Sequence, residues 1–378
     1  MIPRTLFSPE HNEFRRNVRR FIEEEIVPHH ARWEEQQCVD RAIWNRAGAL
    51  GMLCMTMPEE YGGVGVDRLF SAIMLEELAR AGASGIGFPL HSDIVANYIN
   101  NFGSDEQKQH WLPKMAAGET VTAIAMTEPG TGSDLQAITT SAVIDGDDYV
   151  INGSKIFITN GLLSDLVIVV VNTGGSGGAK NISLILVEAD RAGFTKGKPL
   201  NKIGMKAQDT CELFFDNVRV PCSNLLGNEG MGFIALMREL AWERMIIAVA
   251  AVAAAEAALS WTLEYTKNRK VFGKPVAAFQ NSRFKLAEMK AEINIGRVYV
   301  DRCLELVLTG NLGPDAAATA KYWCSDLQNR VMDECLQLHG GYGYMLEYPI
   351  ARAWVDSRAQ RIYGGTNEIM KELIARMM

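Results

Sequence analysis

Between Phe233 and Arg269 the chain contains neither proline nor glycine and is rich in alanine. A stretch of this kind forms one helix of about 36 residues, roughly 54 Å long at 1.5 Å per residue. A rod of that length is stable only if its apolar faces find other long helices. The sequence supplies them: Ala277 to Leu308, Pro314 to Leu338 and Thr366 to Met377 keep the same period. These lengths predict a four-helix bundle over residues 230–378.

The preceding chain has two further characters. From Thr5 to about Gly118 the pattern is again helical. Ser8-Pro9-Glu10 supplies a cap, a first-turn proline and an acid, and Phe14, Val18, Phe21, Ile22 and Ile26 then share one face of a helix ending near Pro28. Further helices are expected over Ile43–Leu53, Leu69–Arg80 and Ser104–Met115, the last with capping-box spacing between Ser104 and Gln107. Between about Val121 and Val220 the period becomes that of strands: Thr140–Ile144, Tyr149–Ile151 before an Asn152-Gly153 turn, Lys155–Thr159, Leu166–Val171, Ile182–Val187 and Cys211–Phe215. The expected class is α+β, with a helical domain over 1–120, an antiparallel β domain over 121–229 and the bundle. Gly174-Gly175-Ser176-Gly177-Gly178 reads as a loop between strands, because no helix signal follows it.

A net charge of -7 argues against a broad nucleic-acid surface, which needs a positive stripe. No apolar run of about 18 residues is free of charge, so no membrane span is expected, and the first residues lack a signal-peptide core. The seven cysteines, without a Cys-x-x-Cys pair, suit free thiols in a reducing cytoplasm. The six histidines form no metal box, and no metal is expected.

Six segments carry the chemistry: Ala125 to Asp134 (AMTEPGTGSD), Lys155 to Gly161 (KIFITNG), Trp242-Glu243-Arg244, Arg269 to Gly273 (RKVFG), Gln337 to Gly341 (QLHGG) and Ile362 to Glu368 (IYGGTNE). Each has an ordinary reading: a surface turn, a core aromatic, or a cation at a helix C-terminus. In this order and spacing they resemble the acyl-CoA dehydrogenase family over almost the whole chain, most like its long-chain branch. The resemblance implies FAD as cofactor, with Met126, Thr127, Gly132, Ser133, Phe157 and Thr159 at the flavin and its pyrophosphate. It implies that Arg269, Phe272 and Gln280 reach the FAD of a neighbouring subunit, and that Gln337, Gly340, Gly341, Thr366, Asn367 and Glu368 are FAD contacts. It further implies an acyl-CoA substrate touching Ser133, Trp242, Arg244, Gly364 and Gly365, a homotetramer, and an electron-transfer flavoprotein as acceptor.

One departure relocates the base. Many members carry it as the glutamate of Tyr-Glu-Gly-Thr, whereas this chain reads Tyr363-Gly364-Gly365-Thr366. In the long-chain and isovaleryl branches it is the glutamate of a Glu-Arg pair on the long helix, which Glu243-Arg244 matches. Glu243 interrupts an apolar stripe formed by Leu240, Ile246 and Ile247. Read alone it also fits a surface ion pair. Gly364 is expected to leave room for the Glu243 carboxylate while its N–H polarises the thioester oxygen; Glu368 is the rival base. The expected reaction forms a trans-2-enoyl thioester. An acyl-CoA oxidase using dioxygen and a catalytically silent flavin or acyl-CoA binder are the alternatives. In long-chain relatives proline and glutamine tend to precede the pair; Ala241-Trp242 stands here, and a bulky indole would shorten or redirect the acyl pocket.

Overall fold

A computed structural model describes residues 2–175 and 177–378; Ser176, in the glycine-rich loop expectation, lies outside the described residues. The first helix, Pro9–Phe21, is capped by Ser8 as its sequence requires. It does not end near Pro28. A π-helical turn at Ile22–Ile26 carries the chain into a second helical segment, Val27–Gln36, in which Pro28 occupies the first turn, where a missing N–H costs nothing. Helices Arg41–Ala49, Arg68–Ala81 and Asp105–Ala116 follow, the last with the expected capping box. A second π-helical turn, Leu90–Val95, feeds the short helix Ala96–Phe102.

The middle of the chain forms seven strands: β1 Thr122–Ala125, β2 Ser141–Asp145, β3 Asp148–Thr159, β4 Leu166–Asn172, β5 Ile182–Glu188, β6 Phe194–Lys196 and β7 Thr210–Pro221. The sheet order is β1-β4-β2-β3-β7-β6, with β5 on β4. Two expectations change. The sheet is mixed, because β1 and β2 both run parallel to β4. Asn152-Gly153 is no turn: β3 passes through it with a register shift, the Asn217 backbone N–H donating to the Asn152 side chain at 2.8 Å. Gly153 is nevertheless required, since a Cβ there would lie 2.5 Å from the Thr140 hydroxyl oxygen.

The long helix spans Gly232–Asn268, followed by Gln280–Leu308 and Pro314–His339. The expected fourth helix is present as Asn367–Arg376, and a further short helix, Pro349–Ser357, precedes it. Gly340, Pro349 and Gly364-Gly365 punctuate this stretch, and both short helices pack on Pro314–His339. Helix Arg68–Ala81 of the first domain also packs on the long helix, its Leu69, Ala72 and Leu75 sharing a core with Trp242, Met245 and Val249. Arg297 seals this junction, pairing with Glu76 at 2.8 Å and Glu256 at 2.7 Å. By length and composition the long helix passes the test for a membrane span, but 67% of its most apolar window is buried against protein. All seven cysteines are free.

A candidate active site around a buried carboxylate

Glu243 sits about a third of the way along the long helix, where it meets the first domain, and is 7% exposed. One carboxylate oxygen accepts a hydrogen bond from the Tyr98 hydroxyl at 2.9 Å. Burial pushes the Glu243 carboxyl up to about 7; Tyr98 opposes the rise, Glu239 one turn earlier adds to it, and Arg244 opposes it. A carboxyl group so placed changes protonation near neutral pH, which suits a general base. Its neighbours are buried as well. Arg244 is depressed by burial, with Glu243 acting against that, and its Nε has no hydrogen-bond partner among the described residues. Trp242 packs in the bundle core beneath the Arg68 guanidinium, 4.7 Å from the ring centre.

The loop at Gly364-Gly365 reaches the same helix, one turn further on. Both glycines have positive φ, 65° and 85°. A Cβ on Gly364 would meet the Ile247 δ-methyl at 2.4 Å and Ile247 Cγ1 at 3.9 Å, and among the described residues beyond its chain neighbours no other side chain comes within 4 Å of that point. The space beside Gly364 is therefore filled by Ile247. The expectation that Glu243 occupies it is corrected: its carboxylate turns to Tyr98. Lys321 fixes the loop from behind, donating to the Gly365 carbonyl at 2.6 Å and to Asn367 Oδ1 at 2.9 Å.

Asn367 is also a correction. Its Oδ1 accepts from Lys321 and its Nδ2 donates to Asp326 at 2.9 Å and Ser325 at 3.0 Å, so its buried side chain is committed to holding the last helix and offers a cofactor nothing. Thr366 is the N-cap of that helix, accepting from the Ile369 N–H. Glu368 is exposed, and its own backbone N–H, with the Thr366 hydroxyl, holds its carboxyl below the usual range. An exposed carboxylate of lowered pKa is a poor base, which counts against the rival.

The AMTEPGTGSD segment leaves β1 as a tight loop closed by reciprocal backbone bonds between Glu128 and Thr131. Underneath lies a buried ion pair that sequence reasoning did not single out: Lys155, fully buried on β3, donates to Glu128 at 2.9 Å and to the Met126 carbonyl at 3.0 Å. Glu128 also accepts from the backbone N–H groups of Thr139 and Thr140 at 2.8 and 2.9 Å. Burial alone would raise this carboxyl, but Lys155 and the threonine donors hold it down at about 2. The available signal was a lone lysine on the inward register of an apolar strand. Met126 and Thr127 are half-buried, whereas Gly132 and Ser133 face outward, with open space where a Gly132 side chain would be. Phe157 projects from a bulge in β3 with φ 62°, 64% exposed, and Thr159 follows two residues later, half-buried. Left-handed backbone is costly for an aromatic residue and marks places where function overrides local preference.

The remaining predicted residues gather elsewhere. Arg269 lies 5.2 Å from the centre of the Tyr342 ring, joining RKVFG to the segment after Gln337. Gln280, Gln337, Gly340 and Gly341 are all exposed around it. Phe272, at φ 48° on the tip of a hairpin between Lys270–Val271 and Lys274–Pro275, is 94% exposed. Arg269 follows Glu243 by 26 positions, all but the last within the same helix, hence roughly 39 Å along its axis at 1.5 Å per residue. Within one chain these residues and Glu243 cannot serve one site.

A desolvated carboxylate where the first domain meets the long helix suits proton removal, and the exposed Phe157 ring and open Gly132 loop of the β domain offer surfaces to a planar cofactor. Family models for the N-terminal, middle and C-terminal domains of acyl-CoA dehydrogenase match residues 8–119, 123–218 and 230–378. The mitochondrial long-chain specific acyl-CoA dehydrogenase of Sus scrofa is 56% identical over 375 residues, covering 99% of this chain and 87% of that protein. Among solved structures, an acyl-CoA dehydrogenase from Geobacillus kaustophilus is 48% identical with a TM-score of 0.98, covering 99% of both chains. One from Bacillus anthracis, complexed with FAD, is 33% identical with a TM-score of 0.93, covering 98% of this chain and 67% of that one. The chain belongs to the acyl-CoA dehydrogenase family.

Proposed function

We infer that the protein dehydrogenates an acyl-CoA thioester to the trans-2-enoyl thioester, using FAD, with Glu243 as the base. The observation that carries the assignment of the base is the pairing of a buried Glu243 near pKa 7 with glycine at 364 and an exposed Glu368. The chain suits FAD: Phe157 offers an aromatic face, and Gly132 and Ser133 offer unobstructed backbone and a hydroxyl to a pyrophosphate. Met126, Thr127 and Thr159 lie beside them. When bound, FAD would supply the acceptor for the hydride leaving C3. Glu243 takes the proton from C2, and the Gly364 N–H and the buried Arg244 stabilise negative charge developing at the thioester. Trp242 and Gly365 are assigned to the same cleft.

The distance between Glu243 and the Arg269 cluster supports an oligomer, proposed to be a homotetramer, in which Arg269, Phe272 and Gln280, with Gln337, Gly340 and Gly341, complete the FAD site of a neighbouring subunit. Free thiols throughout fit a reducing compartment such as the cytoplasm. Electrons are proposed to pass on to an electron-transfer flavoprotein.

The test is anaerobic addition of a panel of saturated acyl-CoA thioesters to the purified holoprotein. The expected result is bleaching of the flavin band and formation of the enoyl thioester. A flavin that no thioester bleaches makes the protein a silent binder, and aerobic turnover with stoichiometric peroxide makes it an oxidase. Because its ring is exposed, Phe157→Ala should leave the melting temperature of the flavin-free protein within about 2 °C, a surface-type change. Loss of one aromatic contact should weaken flavin binding about tenfold, read by titration of the flavin-free protein.

A further inference from the structure

The long helix brings the carboxylate to its place but does not aim it: a glutamate side chain rotates about three bonds. Among the described residues its carboxylate has one hydrogen-bond donor, Tyr98. That donor is itself rigid. The Tyr98 ring is fully buried, in a core with Val95, Ile99, Leu112 and Met115 and with Leu236, which lies seven residues before Glu243 and so on the same side of the long helix. Its hydroxyl has no other hydrogen-bond partner among the described residues. The π-helical turn Leu90–Val95 immediately precedes its helix and sets the direction from which the hydroxyl arrives. Burial, and then the nearby Glu243, push the Tyr98 phenol well above its ordinary value, so it remains a donor at any working pH.

We propose that Tyr98 is the positioning residue of the base: its hydroxyl pins one oxygen of Glu243 so that the other is presented to the proton on C2 of the acyl thioester. This rests on Glu243 being the base. The charged groups that bear on the carboxylate are Glu239 and Arg244 on its own helix, with Tyr98 from Ala96–Phe102. On the elements packed behind them, Arg68 interacts with Glu239 and with Asp93 of the π-helical turn, and Lys321 with Arg244. A hydrogen bond donated to the ionised form favours it, so losing the Tyr98 hydroxyl must move proton uptake by Glu243 to higher pH.

The experiment compares holoenzyme carrying Tyr98→Phe, or 3,5-difluorotyrosine at 98, with wild type and Glu243→Gln, measuring kcat, KM and their pH profiles. For Tyr98→Phe the expected result is an acid limb of kcat moved up by roughly 1–2 pH units, the worth of one hydrogen bond to a charged group. On the plateau, kcat should fall about tenfold or more through lost aim, with KM within about threefold. Difluorotyrosine, a stronger donor of nearly the same shape, should move the limb down, and it carries the test if Tyr98→Phe does not fold. An inactive Glu243→Gln beside a Tyr98 variant with wild-type kcat and an unmoved acid limb would overturn the proposal and leave the base in place. A fully active Glu243→Gln would instead refute the base, and the positioning role with it.

Discussion

Glu243→Gln is expected to lower kcat by about 10²–10⁴-fold, the range for removing a positioned general base, while flavin content stays at the wild-type level. Glutamine keeps the shape and can still accept from Tyr98, so a loss of this size reports the missing base and not a collapsed site. Glu368→Gln, on an exposed first turn, should retain turnover per bound flavin whatever it does to flavin content. Glu243→Gln should also stabilise the protein at alkaline pH. The Glu243 carboxyl is raised by burial from 4.5 to about 7 in the folded protein. Its contribution to stability is therefore present below about 4.5 and is lost as pH rises toward and through 7, because the unfolded chain ionises first. Glutamine does not ionise. Its advantage in melting experiments should be on the order of 1–3 kcal/mol at pH 8 and small at pH 4.

Lys155→Met is expected to cost about 3–5 kcal/mol, because it strands the buried Glu128 carboxylate without its cation. Differential scanning calorimetry should show a large fall in melting temperature, together with poor flavin retention, since Lys155 also ties down Met126. Glu128→Gln added to Lys155→Met should recover part of the loss. Full stability in the single variant would mean that water reaches the pair. In the wild-type protein Glu128, held down at about 2, contributes stability above its ordinary value of 4.5 that is lost as pH falls through about 2. The Lys155→Met variant should lose much of that acid tolerance.

Much of the architecture could be read directly. Proline-free and glycine-free length announced the long helix, and Ser8 and Ser104 announced their helix starts, because these signals are local. What failed was non-local. Pro28 reads as a stop, yet a π-helical turn placed it where its missing N–H is harmless. Asn152-Gly153 reads as a hairpin turn, yet pairing with β7 runs through it. The parallel pairing of β1 with β4 depends on a crossover that no local pattern encodes.

The site was legible through motif resemblance more than through spacing. Glu243 stood out because a charge interrupts an apolar stripe, but its partner Tyr98, 145 positions earlier, carries no signal in the sequence. Asn367 looked like a cofactor ligand and proved to be a structural hub, a distinction visible only once Lys321, Ser325 and Asp326 surround it. Gly364 was rightly marked as a position needing a glycine, but the atom that needs the room belongs to Ile247.

Proton removal can be isolated from hydride transfer with an acyl-CoA in which sulfur replaces C3, leaving no hydride to give. Followed by NMR in deuterium oxide, the C2 hydrogen of that thioester should exchange with solvent on the wild-type holoenzyme and on Glu368→Gln, and should not exchange measurably on Glu243→Gln. Exchange at the wild-type rate on Glu243→Gln would contradict the account.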